Sequence, residues 1–400
     1  MRILVISGTC SPRKYNEIFN RRFKPMLDTN QKFILSLIEG LNAQEGITVD
    51  CVTTLPISHS CYPEKIIKSE EETYENIFYH YCGCINYPVI RTLTVKHSIK
   101  VFVKKYIKKH RNEKITVLCD GLIAEANSLV GYLKRKGIPS VALVTDIPNI
   151  VTDMSSDKSI KLFLLKKYGK YATKLLQSFD RYVFLTKQMN EICNPNNKPY
   201  MIMECIVTPI DIDSIPNEKL SDKPVVLYAG KLHSDFGVLE LAGAAEYLRD
   251  FCEIWLYGGH GNCDDELKIL AERNPNLKIH GIVKLSEILK IEKNAQILIN
   301  PRPNEKEFTK YSFPSKTAEY MMMQIPVVMY KLDGIPDEYD DYLYYIKDKT
   351  SESIADKIRL LLCEDESKRL EKAKTARKFI VENKNNIIQA KRLVNFIDNL

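Results

Sequence analysis

Residues 225–237 read Val-Val-Leu-Tyr-Ala-Gly-Lys-Leu-His-Ser-Asp-Phe-Gly. A short apolar run, Val225–Tyr228, leads through a glycine turn into residues 238–248, whose apolar positions recur with the period of a helix. A buried strand, a turn and a helix form the repeating unit of a parallel sheet that is covered by helices. This stretch therefore predicts an α/β fold.

The same alternation of strand and helix runs through both halves of the chain. In the first half we predict strands over residues 3–6, 115–119, 141–144 and 181–185 and helices over 33–41 and 160–176. In the second half we predict strands over 225–228, 253–257, 277–280, 295–299 and 326–329 and helices over 238–248, 264–274, 285–294 and 316–323. Ligands bind beyond the carboxyl ends of parallel strands. We therefore expect two such sheets that face each other across one cleft.

The length of 400 residues exceeds what one hydrophobic core usually supports. Prolines and acidic residues without an apolar period suggest a linker in the middle of the chain, and the last stretch is a lysine-rich helical pattern. We predict an N-terminal domain over 1–206, a linker over 207–223, a second domain over 224–375 and a C-terminal helix over 376–400 that packs back on the first domain.

Composition argues against several classes of protein. Hydrophobic residues make up 44% and charged residues 27%, which is ordinary for a globular chain. The apolar start is too short for a signal peptide, and no run approaches the roughly 18 apolar residues of a membrane span. Among 11 cysteines only Cys82 and Cys84 lie close together, without the second pair of a zinc site. We expect a cytoplasmic protein with reduced thiols, no metal and no cofactor.

Positive charge is concentrated between Lys96 and Lys114, where Glu113 is the one acidic residue among eight lysines and arginines. Apolar residues recur there at helical spacing, so the lysines share the opposite face. One interpretation is a solvated helix exterior, and the other is a surface that lies on anionic lipid headgroups at the inner face of the membrane. Nucleic acid is not an expected partner, because no aromatic residues are interleaved for base stacking.

Two glycine loops follow predicted strands of the second half. In the first, Gly230 lets the backbone approach a phosphate, and Lys231 adds a charge that neutralises a leaving diphosphate. In the second, residues 257–261 read Tyr-Gly-Gly-His-Gly, and Gly258 offers the same close approach. A flexible hairpin without a ligand is the alternative for this second loop.

The most informative stretch runs from Asn300-Pro-Arg302-Pro to residues 310–321, Lys-Tyr-Ser-Phe-Pro-Ser-Lys-Thr-Ala-Glu-Tyr-Met. Ser315 is expected to cap the following helix, whose amino terminus would point free amides at a ligand. Lys316 adds a full charge beside those amides. Glu319 lies on the same side and can accept hydrogen bonds from a ribose diol.

These motifs together resemble the retaining nucleotide-sugar glycosyltransferases of family four, which have the GT-B fold of two facing Rossmann-like domains. The resemblance rests on Tyr-Ala-Gly-Lys-Leu at 228–232, Ser-Phe-Pro-Ser-Lys at 312–316 with Glu-Tyr-Met at 319–321, and Ile-Pro-Val-Val at 325–328. It is specific over roughly residues 225 to 340. It is similar to the subgroup that builds bacterial surface polysaccharides.

The family carries two glutamates with seven residues between them, of which the first contacts the donor sugar and the second the ribose. Glu319 matches the second position, and Tyr311 stands in the first, so Tyr311 or Glu307 is the expected substitute. In the first half, Gly8 follows a strand and can bring its amide to a ligand. Asp146 stands where many members place a histidine or aspartate near the reacting sugar, with a turn or helix cap as the alternative role.

We therefore expect a hexosyltransferase that transfers a sugar, with retention, from a nucleotide diphosphate sugar to a saccharide or lipid-linked acceptor. The alternatives are a nucleotide-sugar epimerase of the same fold and a basic binding protein without chemistry. The predicted catalytic residues are Lys231, Lys316 and Asp146. The predicted donor-binding residues are Gly8, Gly230, Gly258, Arg302, Tyr311, Ser315 and Glu319.

Overall fold

The computed structural model describes residues 1–23, 29–153, 160–259 and 261–398. The strands are β1 (Arg2–Ser7), β2 (Thr48–Thr53), β3 (Ile66–Ile67), β4 (Glu70–Tyr74), β5 (Ile77–Tyr81), β6 (Cys84–Ile85), β7 (Ile115–Asp120), β8 (Ser140–Val144), β9 (Arg181–Phe184), β10 (Tyr200–Ile202), β11 (Val225–Ala229), β12 (Glu253–Tyr257), β13 (Leu277–His280), β14 (Ile297–Asn300), β15 (Val327–Met329) and β16 (Tyr344–Tyr345).

The helices are α1 (Pro12–Arg21), α2 (Thr29–Asn42), α3 (Ile90–Lys109), α4 (Ala124–Asn127), α5 (Val130–Arg135), α6 (Pro148–Asp153), α7 (Ile160–Leu176), α8 (Met189–Cys193), α9 (Val238–Ala244), α10 (Asp264–Arg273), α11 (Leu285–Asn294), α12 (Ser315–Met322), α13 (Ser351–Cys363), α14 (Glu366–Asn383) and α15 (Asn386–Asp398). Among these described helices, none combines the length and the apolar character that crossing a bilayer requires.

Two compact units make up the chain: Met1–Ile206 together with the residues from Asn386 onward, and Val207–Asn385. The first unit contains a sheet of strand order β10-β9-β8-β7-β1-β2-β5-β4. Its strands pair in parallel from β10 to β5, and β4 adds to the edge as an antiparallel hairpin with β5. A separate antiparallel pair joins β3 to β6.

The second unit contains a sheet of strand order β13-β12-β11-β14-β15-β16, in which every pair is parallel. The sequence runs outward from β11 in one direction and then outward from β14 in the other. Neighbouring strands β11 and β14 therefore form the point where the chain reverses its winding, which is where open α/β sheets bind ligands.

The predicted α/β architecture is confirmed, and several predicted elements match the structure residue for residue. These are the strands 253–257 and 277–280 and the helices 160–176 and 285–294. The helix predicted over 238–248 is α9 only as far as Ala244 and continues as a 3₁₀ turn, Ala245–Leu248. Strand β2 was missed because Asp50 interrupts its apolar run, although that carboxylate is buried against Arg2 and Tyr106.

The lysine-rich tail forms two helices rather than the one predicted over 376–400. Helix α14 ends at Asn383, and α15 begins at Asn386. Between them, Lys384 pairs with Glu338 at 2.7 Å. Helix α15 belongs to the first unit, while α14 belongs to the second. Residues 399 and 400 lie outside the described residues.

Helix α15 is held in the first unit by close backbone packing and by a buried arginine. A Cβ atom on Gly40 of α2 would lie 2.1 Å from the carbonyl oxygen of Asn386. The Arg181 guanidinium donates to the Phe396 and Ile397 carbonyls, near the end of α15, where a cation also complements the helix dipole. Ala390, Leu393 and Ile397 complete the apolar core of the unit.

Gly40→Ala tests this packing, because the added methyl group must displace the start of α15. We expect the substitution to destabilise the first unit by about 1–3 kcal/mol, the cost of overpacking a filled core. Gly131→Ala is the matched control, since a Cβ there meets only the Arg135 side chain at 3.8 Å. Thermal unfolding of both variants makes the comparison. Equal melting temperatures would show that α15 does not rest on Gly40.

Candidate active site

The loops that follow β11 and β14 meet at the reversal point of the second sheet. Gly237 has a φ of 71°, and a Cβ atom built on it would lie 2.0 Å from the Pro301 carbonyl oxygen. Both the left-handed backbone and the missing side chain are therefore needed for this contact. The Arg302 guanidinium extends the contact, lying over the rings of Phe236 and Phe308 at 5.6 and 4.4 Å.

The two predicted glycine loops pack directly against each other. The Gly230 amide donates to the Tyr257 carbonyl at 2.9 Å, and a Cβ atom on Gly258 would lie 1.8 Å from the Gly230 carbonyl oxygen. A Cβ atom on Gly261 would likewise lie 1.4 Å from the Leu232 carbonyl. Backbone-to-backbone packing thus accounts for the glycines at 258 and 261. Residue His260 of this loop lies outside the described residues.

Helix α12 is tied to the end of β11 by one buried side chain. The Tyr320 hydroxyl accepts a hydrogen bond from the Ala229 amide at 2.9 Å and donates to the Ala229 carbonyl at 3.3 Å. Tyr320 is fully buried, and burial raises the pKa of its hydroxyl well above the usual value. This contact fixes α12 beside the Gly230 turn.

One turn before Tyr320, Lys316 lies in an ionic cluster. Its ammonium group is 2.9 Å from a carboxylate oxygen of Glu319 and 3.5 Å from Oε1 of Glu292 on α11, and it lies over the Tyr320 ring at 5.9 Å. Burial lowers the pKa of Lys316, but the charges of Glu319 and Glu292 outweigh it and raise the pKa overall. Lys316 therefore stays charged at neutral pH.

Glu292 is a member of this cluster that the sequence did not indicate. It lies in the amphipathic helix α11, where a glutamate between lysines suggests a solvated face, yet only 1% of its side chain is exposed. A carboxylate at this depth requires a positive partner. Its burial depends on the approach of α11 to α12, which the sequence pattern does not indicate.

The amino terminus of α12 differs from the prediction for Ser315. Pro314 is the N-cap residue, and no side chain caps the helix. Ser315 is the first helical residue and is exposed. Proline has no side-chain oxygen that could accept a hydrogen bond from a helix amide, so the chain enters the helix without an oxygen cap. The first amides of any helix lack intrahelical partners, which keeps this terminus suited to an anion.

The remaining predicted donor residues surround these contacts in the second unit. Arg302 donates to the Ser312 hydroxyl at 3.0 Å. Tyr311, half-buried, ends a 3₁₀ turn that begins with the exposed Glu307. Lys231 is exposed, and its carbonyl accepts the Tyr228 hydroxyl at 3.0 Å. The structure thus joins Gly230 to Gly258 and Lys316 to Glu319.

In the first unit, the predicted residues Gly8 and Asp146 follow β1 and β8, and β7 lies between these two strands. Asp120, the last residue of β7, was not predicted. It is 5% exposed and accepts the Leu122 amide at 3.0 Å. Burial raises the pKa of Asp120 to about 6, although the amides of Leu122 and Gly8 lower it. The sequence did contain a signal for Asp120, since a carboxylate ends an apolar strand directly before Gly121.

Asp120→Asn should reveal this buried carboxyl through the pH dependence of stability. A folded-state pKa of about 6 lies above the ordinary 3.8, so the wild type loses stability as the pH rises from about 4 through 6. We expect the substitution to stabilise the chain by about 2–3 kcal/mol at pH 7 and to change its stability little at pH 4. Denaturant unfolding at both pH values measures this. The same effect at both would contradict the assignment.

Part of the chain matches a known protein family, and its structure is similar to solved structures. Residues 223–364 match the family described as glycosyl transferases group 1. No curated protein matches the chain in sequence.

The structure is similar to three solved proteins, each over nearly the whole of both chains. Sucrose-phosphate synthase from Thermosynechococcus elongatus is 14% identical, with a TM-score of 0.63 and 99% of each chain covered. The UDP-forming α,α-trehalose-phosphate synthase from Burkholderia xenovorans, in complex with glucose-6-phosphate, is 9% identical, with a TM-score of 0.64 and coverage of 99% of this chain and 100% of that one.

WaaG, a glycosyltransferase involved in lipopolysaccharide biosynthesis, is 13% identical, with a TM-score of 0.58 and all of both chains covered. At such low identity these likenesses establish the fold, which is GT-B. The residues that match the group 1 glycosyl transferases, 223–364, lie within the second unit.

Proposed function

We propose that this chain is a retaining hexosyltransferase of family four, of the type that builds bacterial surface polysaccharides. The donor is a nucleotide diphosphate sugar, and the acceptor is a saccharide or a lipid-linked saccharide. The observation that carries the proposal is the charged Lys316 at the amino terminus of α12, held beside the Gly230 turn at the reversal point of the sheet.

The donor diphosphate is proposed to lie at this helix terminus. The free amides of the first turn, the dipole of α12 and the Lys316 ammonium group all favour negative charge there. Lys231 and Arg302 follow the two strands at the reversal point and supply further positive charge. Gly230 and Gly258 pack against each other and so shape the turn beside the helix, and Ser315 leaves the first helical turn exposed. Stabilisation of the departing diphosphate is the largest contribution to catalysis in this scheme.

Donor binding requires an exchange of partners in the ionic cluster. Lys316 is balanced by Glu319 and Glu292, so the cluster carries a net charge of −1 before a ligand arrives. A ribose diol gives Glu319 two hydroxyl donors in place of the ammonium group. Lys316 then turns toward the diphosphate, while Glu292 keeps a charged partner nearby. Glu319 in this way couples ribose recognition to neutralisation of the phosphate.

Retention of configuration follows if the departing phosphate itself removes the proton from the acceptor hydroxyl on the same face of the sugar. No protein nucleophile is then needed. Tyr311 or Glu307 is proposed to contact the donor sugar, in place of the family's first glutamate. In the first unit, Gly8 and Asp146 are proposed to position the acceptor, with Asp120 beside them. The nucleotide sugar is a substrate, and the scheme uses no metal or cofactor.

A lipid-linked acceptor would bring the enzyme to the inner face of the cytoplasmic membrane. Helix α3 and the residues after it carry the lysines that would meet anionic headgroups. Those at positions 100, 104, 105, 108 and 109 are exposed, whereas Val95, Ile99 and Val103 are buried against the sheet. This separation of charged and apolar faces supports peripheral binding, since each lysine near an anionic surface contributes about 1 kcal/mol.

The diphosphate site is tested by removing the charge of Lys316 together with its buried partner. Lys316→Met alone would leave Glu292 uncompensated, so Lys316→Met and Glu292→Gln are combined. We expect the double variant to fold and to bind UDP and UDP-glucose at least tenfold more weakly, because a hydrogen bond to a charged group contributes roughly 1.5–3 kcal/mol. Calorimetry and thermal shift measure this.

Lys268→Met is the matched control, since that lysine is 71% exposed on α10. Its nucleotide affinity should equal that of the wild type. Unchanged binding in the double variant would remove Lys316 from the donor site. UDP, GDP and their sugars are all tested, because only a nucleotide that the wild type binds can report a loss of affinity in the variant.

The reaction class is tested by following the anomeric proton of donor and product by NMR, with alkyl glycosides and monosaccharides as acceptors. A retaining transferase gives a product with the donor's anomeric configuration and releases nucleotide diphosphate only as acceptor is consumed. An inverted product would refute retention. A change in the donor sugar without any acceptor would instead indicate an epimerase of the same fold.

A further inference from the structure

A cavity of about 1190 Å³ lies within the first unit, and no residue at the carboxyl ends of β1, β7 and β8 lines it. It is bounded by α3, by the hairpin of β4 and β5 and by the β3–β6 pair. Its volume slightly exceeds the range typical of ligand sites, which span roughly 300–1,000 Å³. The residues that line its apolar part are Ile66, Ile67, Phe78, Ile85, Leu93, Val101 and Phe102.

The interior of this cavity is aromatic and aliphatic. Phe102 stacks on His80 at a centroid distance of 4.1 Å and faces Phe78 at 6.3 Å. Ile66 and Leu93 are 71% and 64% exposed, an unfavourable arrangement for an apolar surface in water. An apolar ligand would remove these side chains from solvent.

The charges around the cavity favour an anionic head group on that ligand. Asp50 accepts from Arg2 and Tyr106, whereas Glu71 lies 3.2 Å from His80, whose pKa is lowered by burial, so the neutral imidazole leaves one uncompensated carboxylate. Lys105 and Lys109 also line the cavity, and neither forms an ion pair with any other described residue. The free charge at the rim is therefore positive.

We propose that this cavity, named here the α3 cavity, binds an acyl chain of an anionic membrane phospholipid. The chain lies between Phe102 and the exposed Ile66 and Leu93, and the phosphate lies against Lys105 and Lys109. The inference rests on the proposed membrane association of α3 and deepens it. A lipid held in this way anchors the enzyme by burial of hydrocarbon in addition to surface charge, and it requires no chemistry at the donor site.

Two experiments distinguish binding of a lipid in the α3 cavity from binding of the protein to a membrane surface. Sedimentation with phosphatidylcholine vesicles, with and without phosphatidylglycerol, measures surface association. Titration with lysophosphatidylglycerol below its critical micelle concentration measures binding of single lipid molecules. We expect saturable binding of the single lipid, not displaced by inorganic phosphate. Val101→Trp and Ser98→Phe, which fill the α3 cavity, should weaken it at least tenfold.

Lys105→Gln with Lys109→Gln should weaken lipid binding about fivefold per lysine, from about 1 kcal/mol each. Lys104→Gln with Lys108→Gln is the matched control, because these exposed lysines of α3 do not line the cavity. It should retain single-lipid affinity and lose only vesicle binding. Circular dichroism confirms that each variant is folded.

Several outcomes would overturn the proposal. Vesicle binding without any single-lipid binding would leave the surface association intact and refute the α3 cavity as a lipid site. Wild-type affinity in both folded cavity-filling variants, or full displacement by inorganic phosphate, would refute it as well. If the wild type bound neither the single lipid nor the vesicles, the membrane association itself would be refuted. The proposed donor binding would be unaffected by that result.

Discussion

The paired hydrogen bonds between the Tyr320 hydroxyl and the backbone of Ala229 position helix α12 against the sheet of the second unit. Ala229 ends the strand that neighbours both β12 and β14, so its amide and carbonyl would otherwise be buried without partners. By satisfying both groups, Tyr320 brings α12 to the Gly230 turn. The position of Lys316, one turn earlier on the helix, follows from that contact.

The cluster of Lys316, Glu319 and Glu292 is costly in stability and therefore informative about function. Replacing buried ion pairs by apolar residues of similar size is often neutral or stabilising. Glu292 is nonetheless almost fully buried, and its negative charge serves to hold the ammonium group in place at the helix terminus. In the proposed scheme Lys316 leaves Glu319 once, when the donor binds, and the same cation then stabilises the developing charge of the phosphate without further reorganisation. We therefore infer that ligand binding, rather than folding, accounts for this arrangement.

Sequence periodicity was sufficient for five of the six described strands of the second sheet, whose apolar patterns are regular, but for only four of the eight described strands of the first. The same reasoning placed Lys316 and Glu319 on one side of α12, since positions three apart share a helix face. It failed where the deciding partner is distant in sequence. Glu292 and Asp50 are charged residues whose burial depends on other elements, and Gly258 is glycine because the Gly230 carbonyl lies against it. The cap assigned to Ser315 was wrong because Pro314 occupies that position.

The strand order of the first sheet keeps an anchoring lipid apart from an acceptor. Gly8 and Asp146 follow β1 and β8, and Asp120 ends β7, whereas the α3 cavity is walled by β5 on the other side of β1. A phospholipid in the α3 cavity would leave the loops after β7 and β8 free. Asp50 is paired with Arg2, and the two rim lysines, Lys105 and Lys109, outnumber the single carboxylate of Glu71, so the rim stays positive overall. The proposed lipid site and the proposed sugar-transfer site therefore share no residue and can be mutated separately.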